Sequence, residues 1–170
     1  MEKEAVIDAV RDFIEGEGYR YEYNAEREFL RLGFKIDCKL KHVDIIVDFH
    51  ERGFLVYAIS PICADEECFA EVRKYLSMAN FALMDGNFEM NPKSGEVRYR
   101  CWVGTWALES LPSEVIDESI SVTYDMFKRY GDGLAALSLG FSDAETEIVK
   151  AEKPKGGGDG AEGNGDGEDE

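Results

Sequence analysis

Asn87-Phe88-Glu89-Met90 and Glu96-Val97-Arg98-Tyr99-Arg100-Cys101-Trp102-Val103 flank the loop Asn91-Pro92-Lys93-Ser94-Gly95. The loop is dense in turn formers, so the stretch reads as a β-hairpin. Successive side chains of a strand point to opposite faces. Val97, Tyr99, Cys101 and Val103 therefore point one way, and Arg98, Arg100 and Trp102 the other.

The same period of two recurs upstream. Tyr19, Tyr21 and Tyr23 alternate; Leu30, Leu32, Phe34 and Ile36 alternate with Arg31, Gly33 and Lys35. Val43, Ile45, Val47 and Phe49 alternate with Asp44, Ile46 and Asp48, and the turn Glu51-Arg52-Gly53 leads into Phe54–Ser60, closed by Pro61. Such alternation marks half-buried antiparallel strands.

Helical spacing brackets these strands. Val6, Val10, Phe13 and Ile14 share one face of a helix over 2–15, ended by Gly16 and Gly18. A second helix is expected over 65–85 with Asp65 as N-cap. A third starts at Ser113 as N-cap and carries Ile116, Ile120, Thr123, Phe127 and Tyr130 on one stripe. Gly131-Asp132-Gly133 is expected to weaken or kink it before Leu134 and Leu137. Ser142 with Glu145 reads as a capping box for a last helix ending near Ala151. The fold class is α+β, an antiparallel sheet flanked by helices.

The chain has 170 residues, which suits one domain, here 1–151. With 19 Lys+Arg against 36 Asp+Glu its net charge is −17. That argues against nucleic acid as main partner and against docking on anionic lipid, both of which need clustered cations. Residues 152–170 hold seven acids, two lysines and seven glycines, with no large apolar side chain. They read as a disordered acidic tail. The N-terminus shows no signal peptide and no run is long enough to span a membrane, so a cytoplasmic protein with reduced Cys38, Cys63, Cys68 and Cys101 is expected.

Tyr75-Leu76-Ser77-Met78-Ala79-Asn80-Phe81-Ala82-Leu83-Met84-Asp85-Gly86-Asn87-Phe88-Glu89-Met90 resembles the centre of the YbjN family, where a helix carrying an Asn runs into a Gly-x-Phe strand start. Gly95–Arg100 is similar to the second strand of the same hairpin, and Leu111-Pro112-Ser113-Glu114 to the start of the last long helix. The resemblance covers about residues 2–140. It implies a bacterial protein with an α-β-β-β-α-β-β-α core similar to type III secretion chaperones, and no enzymatic activity. The Tyr19–Tyr23 segment and the tail depart from that core. Apart from the family, Gly86 suits a helix-to-strand turn, and Asn80 is placed to hydrogen-bond a neighbouring backbone group.

No motif announces a reaction. Cys63 and Cys68 form one loose pair, and His42 and His50 lie about 25 Å apart at opposite ends of a strand, so no zinc set is expected. Asp159, Glu162, Asp166 and Glu168 do not follow the spacing of a calcium loop. Neither a Gly-x-Ser-x-Gly elbow nor a phosphate-binding glycine loop is present. No cofactor and no catalytic residue is assigned.

Two surfaces stand out. The second helix is apolar over about half its circumference, so it should touch a second surface besides the sheet, either another helix of the same chain or a second subunit, with Tyr75, Met78, Phe81 and Ala82 as the candidate dimer face. On the polar side of the sheet, Arg31, Lys35, Arg98, Arg100 and Trp102 form either a solvated face with cross-strand ion pairs to Glu96 or Glu89, or a candidate face for an acidic or extended peptide, including the chain's own tail, by strand addition at an open edge. The expectation is a non-catalytic cytoplasmic protein-interaction domain, an adaptor, regulator or chaperone with a protein partner and a possible homodimer. The alternative is a small-molecule- or ion-sensing domain with a pocket between sheet and helices.

Overall fold

A computed structural model describes residues 1–81 and 83–153. The elements run α1 (Lys3–Gly16), β1 (Glu22–Asn24), β2 (Phe29–Lys35), β3 (His42–His50), β4 (Gly53–Cys63), a 3-10 turn (Glu66–Cys68), α2 (Phe69–Asn80), β5 (Asn87–Met90), β6 (Glu96–Gly104), α3 (Ser113–Ser138) and α4 (Ala144–Glu152). The six strands form one sheet in the order β1-β2-β3-β4-β6-β5 with every pairing antiparallel. The fold is the α+β sheet-and-helix layer that alternation predicted, with β1 as an added edge strand.

One face of the sheet is sealed. Leu30, Val43, Ile45, Val47, Phe54, Val56, Ala58, Val97 and Tyr99 are fully or almost fully buried. They pack with Val6, Val10 and Ile14 of α1 and with Ile116, Ile120, Phe127, Tyr130 and Leu134 of α3 in one core. Such burial removes apolar surface from water and is the main drive for the layer to close. The opposite parity on every long strand, Gly53 apart, is only half-buried or exposed.

Several local expectations are corrected. The second helix is shorter than 65–85: a 3-10 turn precedes it, and it stops at Asn80. Asp65 precedes that turn without a side-chain cap bond. Stopping there lets the Asn80 side chain reach β5. Gly86, at φ 72°, serves the entry to β5 rather than a helix end. A Cβ there would lie 2.2 Å from the Arg100 carbonyl oxygen.

Pro61 does not close β4. The strand runs on to Cys63 through a register shift between Ile59 and Cys63, which relieves the prolyl nitrogen of a ladder bond. Pro112, not Ser113, is the N-cap of α3.

α3 runs unbroken through Gly131 and Gly133. A Cβ on Gly131 would sit 2.8 Å from the Cys38 sulfur, and one on Gly133 2.5 Å from the Tyr75 hydroxyl. These glycines admit neighbours to the helix surface, and tertiary packing overrides their poor helix propensity. α4 is capped by Asp143, whose side chain accepts from Thr146 N at 2.9 Å. Ser142 instead bonds Glu147 at 2.6 Å. The expectation of a tail falls mostly on 154–170, outside the described residues.

Candidate protein-binding face of the sheet

Strand parity builds the open face. In the pairing register, Arg31 lies opposite Ile46, Ile46 opposite Tyr57, and Tyr57 opposite Arg100. The next rows read Phe29-Asp48-Leu55-Trp102 on one side and Gly33-Asp44-Ile59-Arg98-Glu89 on the other. Ile46, Leu55, Tyr57 and Ile59 thus make an apolar stripe down the centre of a face that the core layer leaves uncovered. Those four were not singled out from sequence as a surface. Their signal was legible, because Ile46 shares parity with Asp44 and Asp48.

The stripe separates the cations. Arg31 and Arg100 sit three strand spacings apart, about 14 Å between backbones. Arg31 Nη2 is 2.8 Å from Asp44 Oδ2, and this hydrogen bond raises the guanidinium pKa. Arg98 and Arg100 share Glu89: Arg98 Nη2 is 2.9 Å from one carboxylate oxygen and Arg100 Nη1 3.0 Å from the other. The Arg98 guanidinium also lies 4.5 Å from the centre of the Tyr57 ring. Burial pushes the Tyr57 hydroxyl above its ordinary value, and Arg98 opposes that. Lys35, at the end of β2 opposite His42, has no carboxylate within ion-pair distance among the described residues. So the five residues chosen from sequence share one face but form two flanks, and three of them are already paired.

At one end of the stripe a hollow of about 570 Å³ is lined by His50, Glu51, Arg52, Leu55, Trp102 and Trp106. It exists because the β3–β4 turn presses on β6. Gly53 has φ 151°, and a Cβ there would lie 2.0 Å from the Val103 carbonyl oxygen. Trp102 is 43% and Trp106 55% exposed. Arg52 stacks 4.7 Å over the Trp106 ring, and the His50 and Trp102 rings are 6.0 Å apart. At the other end, Glu89, Met90, Pro92, Lys93, Glu96 and Arg98 line a second hollow of about 470 Å³.

The sheet edge is not open in the way expected. The Asn80 side chain donates to Phe88 O at 3.0 Å and accepts from Phe88 N at 2.7 Å. It stands where an added strand would pair, as natural proteins often arrange at exposed edges. The other edge, β1, is three residues long.

The proposed dimer face is also altered. Tyr75 is fully buried, donating to Tyr130 O at 2.9 Å, because α3 and not a second subunit covers that side of α2. Burial drives its hydroxyl pKa far up. Met78 is partly buried. Phe81 is 94% exposed, and Met84, which was not singled out from sequence, is 96% exposed. Ala82 lies outside the described residues.

Between β6 and α3 a cleft of about 290 Å³ is lined by Asp85, Cys101, Val103, Val115, Glu118 and Ser119, among others. Burial, then Asp85 and Glu118, raise the Cys101 thiol, which keeps it protonated. Cys38 is raised likewise by burial. Among the described residues, no three His, Cys, Asp or Glu side chains converge as metal ligands would, and no helix is long and apolar enough to cross a membrane.

Neither a family model nor a curated protein matches the chain. A solved structure does: YbjN of E. coli, described as a proposed transcription regulator, is 12% identical and aligns with a TM-score of 0.55 over 76% of this chain and 89% of that one. At that identity the likeness speaks for architecture, and it agrees with the element order above: the chain has a YbjN-like fold.

Proposed function

We propose that this chain is a non-catalytic protein-binding module of the adaptor, regulator or chaperone type. One observation carries the reading: a helix-free sheet face with Ile46, Leu55, Tyr57 and Ile59 at its centre and Arg31, Lys35, Arg98, Arg100 and Trp102 on its flanks. An apolar patch rimmed by polar groups suits a partner surface. The fitting partner is an amphipathic segment of another protein, laying apolar side chains along the stripe and carboxylates toward the flanks. Because Glu89 and Asp44 already occupy three of the cations, apolar contact supplies most of the affinity and the charges set orientation. The guarded β5 edge favours docking on the face over strand addition. The regulatory role described for YbjN suits such a module, and with a net charge of −17 regulation through protein contact fits better than direct grip on DNA.

Selection from a random peptide library tests this. Enriched peptides should alternate apolar residues with Asp or Glu, and Trp102→Ala with Leu55→Ser should abolish their binding while the melting temperature holds. Peptides that lack acids, or that bind the double variant equally well, would overturn the reading.

A second reading rests on Phe81 and Met84. Two large apolar side chains almost wholly in water beside an edge strand favour self-association through side chains. A light-scattering mass of one chain at high concentration would remove it.

A further inference from the structure

Lys39, Lys128, Arg129, Lys150 and Lys153 line a hollow of about 310 Å³ together with Asp37, Asp132, Gly133, Glu147 and Ala151. The hollow has a built frame. Lys39 N donates to Asp132 at 2.6 Å and pins the β2–β3 loop to α3, while Arg129 Nε donates to Ala151 O at 3.3 Å and ties α3 to α4. Lys128 pairs with Asp125 at 2.7 Å and Lys150 with Glu147 at 2.6 Å. Lys39, Arg129 and Lys153 have no carboxylate within ion-pair distance among the described residues.

Its lining carries five cations against three carboxylates, a net +2, which sets it apart from the rest of the chain. Residues 1–153 carry 18 Lys+Arg against 30 Asp+Glu, a net −12. The described chain ends at Lys153, in the wall of this hollow. The sequence continues with Pro154-Lys155-Gly156-Gly157-Gly158, then Asp159, Glu162, Asp166, Glu168, Asp169 and Glu170, six acids against one lysine. Six residues beyond Lys153 reach at most about 20 Å, so Asp159 can reach the hollow's opposite wall. The rest of the body repels an acidic segment, and a short tether raises its local concentration at the cations.

We propose that residues 154–170 are the occupant of this hollow: the acidic segment folds back on Lys39, Lys128, Arg129 and Lys150 and shields them from other anions. The contact is salt-sensitive and leaves the open sheet face free. It is therefore independent of the binding reading above, and gives the tail a different place from the sheet face expected from sequence.

Zero-length carbodiimide coupling of the full chain at low salt, read by peptide mass, tests it. An equal mixture of isotope-labelled and unlabelled protein separates links within a chain from links between chains. Links from Asp159–Glu170 to Lys39, Lys128 and Lys150 within one chain are expected, several-fold above links to Lys3 or Lys93. They should disappear at about 1 M salt, where the screening length is about 3 Å. They should also fall strongly in a Lys39→Gln, Arg129→Gln double variant when read at Lys128 and Lys150. Equal coupling to the remote lysines, links found only between chains, or links at Lys128 and Lys150 unaffected by the double variant would overturn it.

Discussion

On β3, Val43, Ile45, Val47 and Phe49 are sealed in the core, while Asp44, Ile46 and Asp48 between them remain half open. β4 repeats the contrast with Phe54, Val56 and Ala58 inside and Leu55, Tyr57 and Ile59 outside. Both faces of the central strands carry large apolar side chains, yet only one is covered by α1 and α3. The inner face answers to folding. The outer face keeps Ile46, Leu55, Tyr57 and Ile59 half-buried, and it is the surface that the proposed partner would use. Mutations on the two faces should therefore part company.

The largest effect belongs inside. Phe54→Ala empties a fully buried site and should destabilise the fold by about 3–5 kcal/mol in denaturant titration. A loss under about 1 kcal/mol would mean that the two faces are not energetically distinct. Asn80→Ala comes next. It strips Phe88 N–H of its partner and leaves Phe88 C=O only the 3.2 Å bond from Asn87 Nδ2, costing about 1–3 kcal/mol, and uncovers the β5 edge, so the light-scattering mass should rise with concentration. A variant that stays as stable as the parent and equally monodisperse would show that Asn80 guards nothing. Tyr75→Phe removes the hydroxyl bonded to Tyr130 O and should cost about 1 kcal/mol without changing the mass, since Tyr75 faces α3.

Outside, Trp102→Ala should shift stability by no more than about 0.5 kcal/mol, typical of surface positions, while removing peptide binding. A large loss of stability would make the open face part of the core instead.

A smaller effect concerns α4, which touches neither face. Thr146 N and its hydroxyl hold the Asp143 carboxyl below its usual range. Burial would raise Glu147, but hydrogen bonds from Lys150 and Ser142 outweigh it and leave it lowered. Groups lowered in the folded state stabilise it above the ordinary carboxylate range, and that contribution is lost as pH falls through their lowered values. Amide exchange in Ala144–Glu152 should therefore quicken, beyond the intrinsic pH trend, on acidification below about pH 4. Asp143→Asn should flatten the change; an unaltered profile in that variant would remove the cap from the account.

Much of the fold was legible because strand parity is local. Whether Arg98 or Tyr99 faces inward depends only on its neighbours along β6, and the hairpin loop Asn91–Gly95 announces its turn through its own residues. The errors sit where distant residues intervene. Gly131 and Gly133 look like helix breakers until Cys38 and Tyr75 are placed against them. Pro61 looks like a strand end until the register shift opposite β6 is known. Tyr75 could face another helix or a second subunit until α3 is placed over it. Of the candidate face, the outward residues were readable one strand at a time, and so was an ion pair to Glu89, since the arginines share its hairpin, but the roughly 14 Å between Arg31 and Arg100 depends on strand order.

From its residues alone, this chain committed itself to alternating strands, amphipathic helices and an acidic balance, because side-chain direction and charge are properties of each segment. Which sheet face stays bare, which edge Asn80 guards and where the cations gather were decided only in three dimensions. Those outcomes depend on how the helices share one side of the sheet, and no single segment encodes that.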